Sequence, residues 1–254
     1  MKTVLAAVVA PTALLAGSLG ATGHADAGHA GDASRPATHE VVKLADARLK
    51  FEINSTDRDG GVQVFLDAQQ WKRMSIYDPK GHRIFTTVTK GIMAKQGGTE
   101  MFLESAEPSF KQLPLPQLLD RWPAGRYKFR GRGLEGERLV GSARLTHHLP
   151  KGPKLSSPTE GSGPQNPRTT VLRWRKVPAP KHSRIIAYQV IVSTDTKLKA
   201  LPTITLDVMM PPRANHLRIP RGFLKRDTDY EWEVLAVEAS GNQTISAAEF
   251  ATTD

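Results

Sequence analysis

Leu224-Lys225-Arg226-Asp227-Thr228-Asp229-Tyr230 runs directly into Tyr230-Glu231-Trp232-Glu233-Val234-Leu235-Ala236-Val237. The first seven residues are polar between two large apolar ends. The stretch that follows alternates, with Tyr230, Trp232 and Val234 on one side and Glu231 and Glu233 on the other, the period of two that marks a half-buried strand. Gly241-Asn242 then supplies a turn, and residues 246–252 supply a last strand.

Upstream, Val171-Leu172-Arg173-Trp174 alternates and ends in a tryptophan, and Ala187-Tyr188-Gln189-Val190-Ile191-Val192 reads as the next strand. Taken with residues 224–237, this pattern resembles the fibronectin type III family. Trp174 stands at the core tryptophan of that family's second strand, and residues 224–230 keep the spacing of its Leu-x-Pro-Gly-Thr-x-Tyr corner; the resemblance implies that Tyr230 buries its ring while its hydroxyl meets a backbone group across the turn. The resemblance covers most of residues 155–254. Two features depart from it: Arg226-Asp227 replaces Pro-Gly, and prolines interrupt the section from Lys197 to Pro212. The resemblance implies a β-sandwich with a binding, adhesion or spacing role in the periplasm or outside the cell.

The first half of the chain also reads as short strands. Leu49, Phe51 and Ile53 alternate with Lys50, Glu52 and Asn54, and the turn residues 56–61 lead to Val62, Val64 and Leu66. Further strands are predicted over 71–77 and 83–89, separated by Asp78-Pro79-Lys80-Gly81, whose Pro and Gly suit a type I turn. Others follow over 99–104, 127–130 and 138–145, with one short helix over 115–122 that Pro123 stops. Many short strands at this spacing indicate a sandwich. Ser75-Ile76-Tyr77-Asp78-Pro79-Lys80-Gly81-His82-Arg83-Ile84, with Trp122-Pro123-Ala124-Gly125-Arg126-Tyr127-Lys128-Phe129, resembles the paired strand signatures of Ig-like domains in bacterial secreted and surface proteins.

The expected fold class is all-β, with tandem Ig-like and fibronectin type III-like sandwiches and one short helix in the first. The expected layout is a signal peptide over 1–27, a flexible leader over 28–42, an Ig-like domain over 43–148, a linker over 149–157 and a fibronectin type III-like domain over 158–254. Lys2, the apolar run Val4 to Leu19 and the small residues Ala25-Asp26-Ala27 have the layout of an export signal. Pro11, Gly17 and Gly20 break that run, which falls short of the roughly 20 apolar residues a bilayer span needs. A periplasmic or extracellular location follows as the expectation.

The 254 residues contain no cysteine, which excludes disulfides, a thiol nucleophile, cysteine-bound metal and a lipidated cysteine. The formal charge of +10 is evenly spread, with 20 basic against 15 acidic residues in 1–150 and 15 against 10 in 151–254. Such a field favours anionic partners such as acidic polysaccharide, anionic lipid or nucleic acid. The most pointed pattern is Arg126, Lys128, Arg130 and Arg132. At alternate positions of one strand all four project from one face, either as an anion-binding stripe or as a solvated outer face, with Tyr127 and Phe129 facing inward.

The remaining candidates carry less chemistry. Asp57, Asp59 and Gly60 suggest part of a calcium loop, but counting from Ser55 puts Leu66 where a bidentate glutamate is required, so turn chemistry is expected. Glu104 and Glu107 are a carboxylate pair that suits acid/base hydrolysis of a glycan, and beside Pro108 they read as a solvated loop. Ser105 lacks a nucleophile elbow. His147 and His148, adjacent on a strand, point to opposite faces and cannot chelate together. Trp174 and Trp232 are expected in the core, while Trp71 and Trp122 are open to stacking on sugars.

The functional expectation is therefore an exported, non-catalytic binding, adhesion or spacer protein with a protein or glycan partner in the envelope and no cofactor. The alternatives are charge-driven binding of a polyanion and hydrolysis of a glycan through Glu104 and Glu107.

Overall fold

The computed structural model describes residues 40–194 and 204–254. The expected signal peptide and most of the expected leader lie outside the described residues, as does part of the proline-interrupted section after Lys197. In chain order the strands are β1 (Val41–Lys43), β2 (Asp46–Asn54), β3 (Asp59–Tyr77), β4 (Arg83–Val88), β5 (Gly98–Glu104), β6 (Gly125–Gly133), β7 (Arg138–Leu145), β8 (Lys154–Ser157), β9 (Val171–Arg175), β10 (Ile185–Thr194), β11 (Thr205–Met210), β12 (His216–Arg218), β13 (Asp229–Glu238) and β14 (Gln243–Ala251). Two short helices, α1 (Met93–Gln96) and α2 (Leu115–Arg121), precede and follow β5. The second is the helix expected from the sequence. The first is a single turn that buries no residue.

The strands expected separately at Val62 and at 71–77 are one, the 19-residue β3. It changes partners along its length. Asp59 to Asp67 pairs with β2 on one side and Gln63 to Asp67 with β5 on the other. After a register shift between Asp67 and Trp71, the stretch to Tyr77 pairs with β6 and β4. One strand thus belongs to two leaves, the way sandwich corners are made by strands that bend at bulges. Between the leaves lie Leu49, Phe51 and Ile53 of β2, Val64, Leu66, Met74 and Ile76 of β3, Tyr127 and Phe129 of β6, and Leu139 and Leu145 of β7. These are the period-two apolar residues of the sequence. Each such side chain, fully buried, contributes about 1.5–3 kcal/mol.

In the second half, β8-β9-β12 forms a three-stranded leaf, and β11-β10-β13-β14 forms a four-stranded one. They enclose Leu172, Trp174, Tyr188, Val190, Val192, Trp232, Val234 and Phe250. The Lys225 N–H donates to the Tyr230 hydroxyl at 2.8 Å, closing the corner that residues 224–230 predict. Asp227, where the corner pattern has glycine, takes a left-handed backbone with φ of 48°. The second half is a fibronectin type III-like sandwich, and the described residues form an all-β fold with two sandwich-type cores.

The two halves share a sheet. The outer edge of β14 pairs in parallel with β2, with Gln243 opposite Glu52, Thr244 opposite Ile53 and Ile245 opposite Asn54. The larger sheet is consequently eleven-stranded. Ser55 N–H donates to the Ile245 carbonyl at 2.9 Å, and Ala247 N–H donates to Thr56 Oγ1 at 2.9 Å. The segment expected to link the halves, 149–157, is built into this seam. Its Pro150 carbonyl accepts the Thr244 hydroxyl at 2.7 Å, and its last four residues are β8. A Cβ on Gly152 would press into the hydroxyls of Ser55 and Ser246, so only glycine lets the chain pass there. No helix among the described residues is long and apolar enough to cross a membrane.

Candidate functional site

The alternation of β6 places Tyr127 and Phe129 in the core with no exposed surface and leaves Arg126, Lys128, Arg130 and Arg132 exposed on the opposite face. Register adds cations from the neighbouring strands. Arg144 lies opposite Arg126 and Arg138 opposite Arg132 on β7. Arg73 of β3 lies opposite Arg132 on the other side, and Tyr77, opposite Lys128, is flanked in turn by Arg83 of β4. Along a strand such side chains recur at about 6.6 Å, and across strands at about 4.8 Å.

Residues 71–77, 83–88, 125–133 and 138–145, which make up this face, contain nine Lys and Arg and not one Asp or Glu. Among the described residues the ion pairs are Arg48 with Asp46, His82 with Asp78 and His148 with Glu238, and none involves the face. Arg130 stacks its guanidinium over the Tyr77 ring at 5.1 Å, and Arg132 Nη1 donates to the Gly136 carbonyl at 3.1 Å. A groove of about 490 Å³ follows β6 and β7 between Lys128, Arg130, Arg132, Arg138, Val140 and Gly141. Like charges at this spacing repel, and an anion laid along the groove relieves them.

A second cluster sits at the seam. Oxygens of Glu52, Glu104 and Glu107 lie within 4.8 Å of one another. The sequence reads Glu104 and Glu107 as a solvated loop. The structure instead brings both against the buried Glu52 because β5 pairs with β3 next to β2. Gln63 Nε2 donates to Glu104 Oε1 at 2.8 Å, Gln243 Nε2 donates to Glu52 Oε2, and Lys50 Nζ donates to Gln243 Oε1 at 2.8 Å. Burial first, then the charges of Glu52, Glu104 and Asp59, pushes Glu107 up to about 7. Burial also raises Glu52 against the opposing pull of Lys50, and it lowers Lys50 in turn. Glu233 is pushed up to about 7 by burial, then by Glu231, Glu52 and Asp57.

The other candidates have structural partners. Asp57 Oδ2 accepts Asn54 Nδ2 at 3.0 Å, and Asn54 Oδ1 caps the Thr56 and Asp57 N–H groups, which makes this stretch a turn. The Ser105 hydroxyl accepts the Val62 N–H at 2.9 Å and donates to the Ala106 carbonyl. His147 meets the Trp122 carbonyl at 2.9 Å while His148 faces Glu238, so the two histidines do not converge. Trp71 is 6% exposed, which removes it as a stacking platform, and Trp122 is half-buried against Tyr127. Trp174 and Trp232 are in the core.

Arg73, Arg83, Arg138 and Arg144 escape a reading of single strands. The alternation of 138–145 places Arg138 and Arg144 on one face, but only register sets that face beside β6. Glu52 likewise joins Glu104 and Glu107 only through pairing.

No family model and no curated protein sequence matches this chain. Among solved structures it is similar to the fibronectin(III)-like modules of Clostridium thermocellum CbhA, at 9% identity and a TM-score of 0.34 over 83% of this chain and 93% of that one. It is also similar to chicken CNTN1 domains FN1–FN3, at 11% identity and a TM-score of 0.33 over 85% of this chain and 65% of that one. A third is the fn3 domain of the human collagen alpha-1(XX) chain, at 20% identity and a TM-score of 0.30 over 42% of this chain and 89% of that one.

Proposed function

We propose that the protein is an exported, non-catalytic binding module of the periplasm or cell exterior, and that its contact surface is the basic face centred on β6, which takes an extended polyanion. One observation carries the reading: nine cations and no carboxylate on the strand segments of a single face. A fold needs no such segregation, and interspersing charges of both signs would lower the self-repulsion. The second sandwich, continuous with the first through β14 and β2, serves as a rigid spacer that holds this face away from whatever the far end meets.

The test is retention on immobilised heparin, a generic polyanion, at increasing salt. Retention weakens steeply between about 50 and 200 mM salt if several cations each release counterions. Replacing Arg126, Lys128, Arg130 and Arg132 together by Gln abolishes it. Shallow salt dependence, or retention unchanged in that variant, sinks the reading. The hydrolytic alternative predicts turnover of a glycan that disappears in the Glu104→Gln/Glu107→Gln variant.

A further inference from the structure

One end of the basic face carries exposed apolar side chains. Val88, the last residue of β4, lies opposite Arg73 of β3, which lies opposite Arg132, then Arg138, then Val41 of β1. This row crosses five strands and ends in an exposed valine on each side, Val88 at 52% and Val41 at 54% exposure. Beyond Val88 the chain continues as Thr89-Lys90-Gly91-Ile92-Met93-Ala94-Lys95. Ile92 is 80% exposed, the highest of any large apolar residue described, and Met93 is 46% exposed. Three of the eight exposed large apolar side chains among the described residues, Val88, Ile92 and Met93, thus gather on the β4 side of this row, with Val41 on the far side. The turn that carries Ile92 is ordered by the Thr89 N–H bond to Lys72 and by bonds from Lys95 and Gln96 back to Ile92. It therefore presents these side chains as a fixed tip rather than burying them.

A polyanion in water has no use for this tip, because exposed Ile and Met gain nothing from contact with a sulfated or carboxylated sugar. An anionic lipid bilayer satisfies both features. Apolar side chains enter the acyl boundary while lysines and arginines around them meet the headgroups. Lys90 and Lys95 are exposed on the segment that carries the tip, and exposed Lys72 holds it through its carbonyl bond to Thr89; such long stems let the ammonium groups stay at headgroup level. The acids at this end include Glu135 and Glu137 on the turn between β6 and β7, where Glu137 accepts the Glu135 N–H at 3.1 Å, and exposed Glu40, whose carbonyl accepts the Arg138 N–H at 2.8 Å on the side of the row away from Ile92. We infer that this end of the first sandwich docks on an anionic lipid surface, with Ile92 and Met93 inserted and the row Arg73, Arg132 and Arg138 against the headgroups. The inference rests on the basic-face reading and adds a lipid contact at one end of that face.

Because the chain contains no cysteine, Ile92→Cys gives a single attachment point for an environment-sensitive fluorophore, with His216→Cys in the second sandwich as the control. Vesicles of phosphatidylcholine with about 30% phosphatidylglycerol should shift the probe at 92 to the blue and leave the probe at 216 unshifted, while pure phosphatidylcholine shifts neither. The full chain should bind the anionic vesicles at least about tenfold more tightly than Ile92→Asp/Met93→Asp, which replaces two exposed side chains and keeps heparin retention and melting temperature. An unshifted probe at 92 with heparin retention intact overturns the lipid inference and leaves the basic-face reading standing. Loss of both overturns both. Vesicle binding unaffected by the double Asp variant overturns insertion.

Discussion

The backbone N–H of Phe51 donates to Asn242 Oδ1 at 2.9 Å, a bond made inside the seam by residues 191 positions apart. Asn242 is 1% exposed, and its Nδ2 reaches the Thr146 carbonyl at 2.9 Å, Thr146 Oγ1 at 3.1 Å and the His148 carbonyl at 3.3 Å. A turn residue of the second sandwich thus satisfies backbone groups of the first. Asn242→Ala leaves the Phe51 N–H and the Thr146 carbonyl with a partner removed, and is expected to destabilise the protein by about 3 kcal/mol in chemical denaturation. The lesion falls at the junction, so amide exchange should quicken at Phe51 and Ile53 before it does at Trp232. A loss spread evenly over both halves contradicts that placement.

At the tyrosine corner, Asp227 occupies a conformation that costs an L-residue about 1–2 kcal/mol and glycine little. Asp227→Gly should stabilise the chain by about 0.5 kcal/mol, part of the relief being offset by the freer unfolded chain. Asp227→Val, β-branched at the same φ, should destabilise it by at least about 1 kcal/mol. Tyr230→Phe removes the acceptor of the Lys225 N–H and should cost about 1–2 kcal/mol with the ring packing retained. Thermal melts of the three variants check the order, and a valine variant as stable as the glycine one refutes the strain.

Much of this corner was legible beforehand because it is local. The spacing of Leu224, Thr228 and Tyr230 and the alternation after it depend only on neighbours in sequence, and so did the outward stripe of β6. The seam was not legible. Pairing of Glu52 with Gln243 joins strands nearly two hundred residues apart, and neither partner carries an unusual local pattern. The proline-rich residues 149–157 read as a tether because composition reports stiffness, not what the Pro150 carbonyl will accept. The merging of two expected strands into β3 escaped for a related reason: Gln69-Gln70 looks like a polar break, and only the exchange of partners at Asp67 to Trp71 shows the strand turning a corner.

Glu107 and Glu233 set a pH dependence with a definite sign. Both sit at about 7 in the folded protein, above the ordinary value of 4.5. Below pH 4.5 both are protonated folded and unfolded. As pH rises toward 7 the unfolded chain gives up its protons first, so the folded state binds more protons and stability falls across that window. Glu107→Gln should flatten part of the fall and leave the variant about 1 kcal/mol more stable at pH 8, a figure discounted for the solvent that still reaches this side chain. The two proteins should converge near pH 4.5 in denaturant titrations. Stability rising from pH 4.5 to 7, or parallel profiles for protein and variant, contradicts the carboxylate cluster as described.

The basic face makes a last prediction about how its cations act. If they serve as a field rather than as fitted hydrogen-bonding forks, Lys128→Ser should lower the log–log salt slope of heparin binding by about one, as loss of one counterion-releasing contact does. Lys128→Glu should weaken binding further, and Arg132→Lys should leave it nearly unchanged. Folding should barely respond, since these side chains are exposed and pair with no carboxylate among the described residues. The exception is Arg130, whose stacking on Tyr77 is worth about 0.5–1 kcal/mol. Collapse of binding in Arg132→Lys would instead require bidentate recognition at that position. The groove between β6 and β7 would then be a shaped pocket for one anionic group, and the even spread of charge over β3, β4 and β7 would have no part in binding.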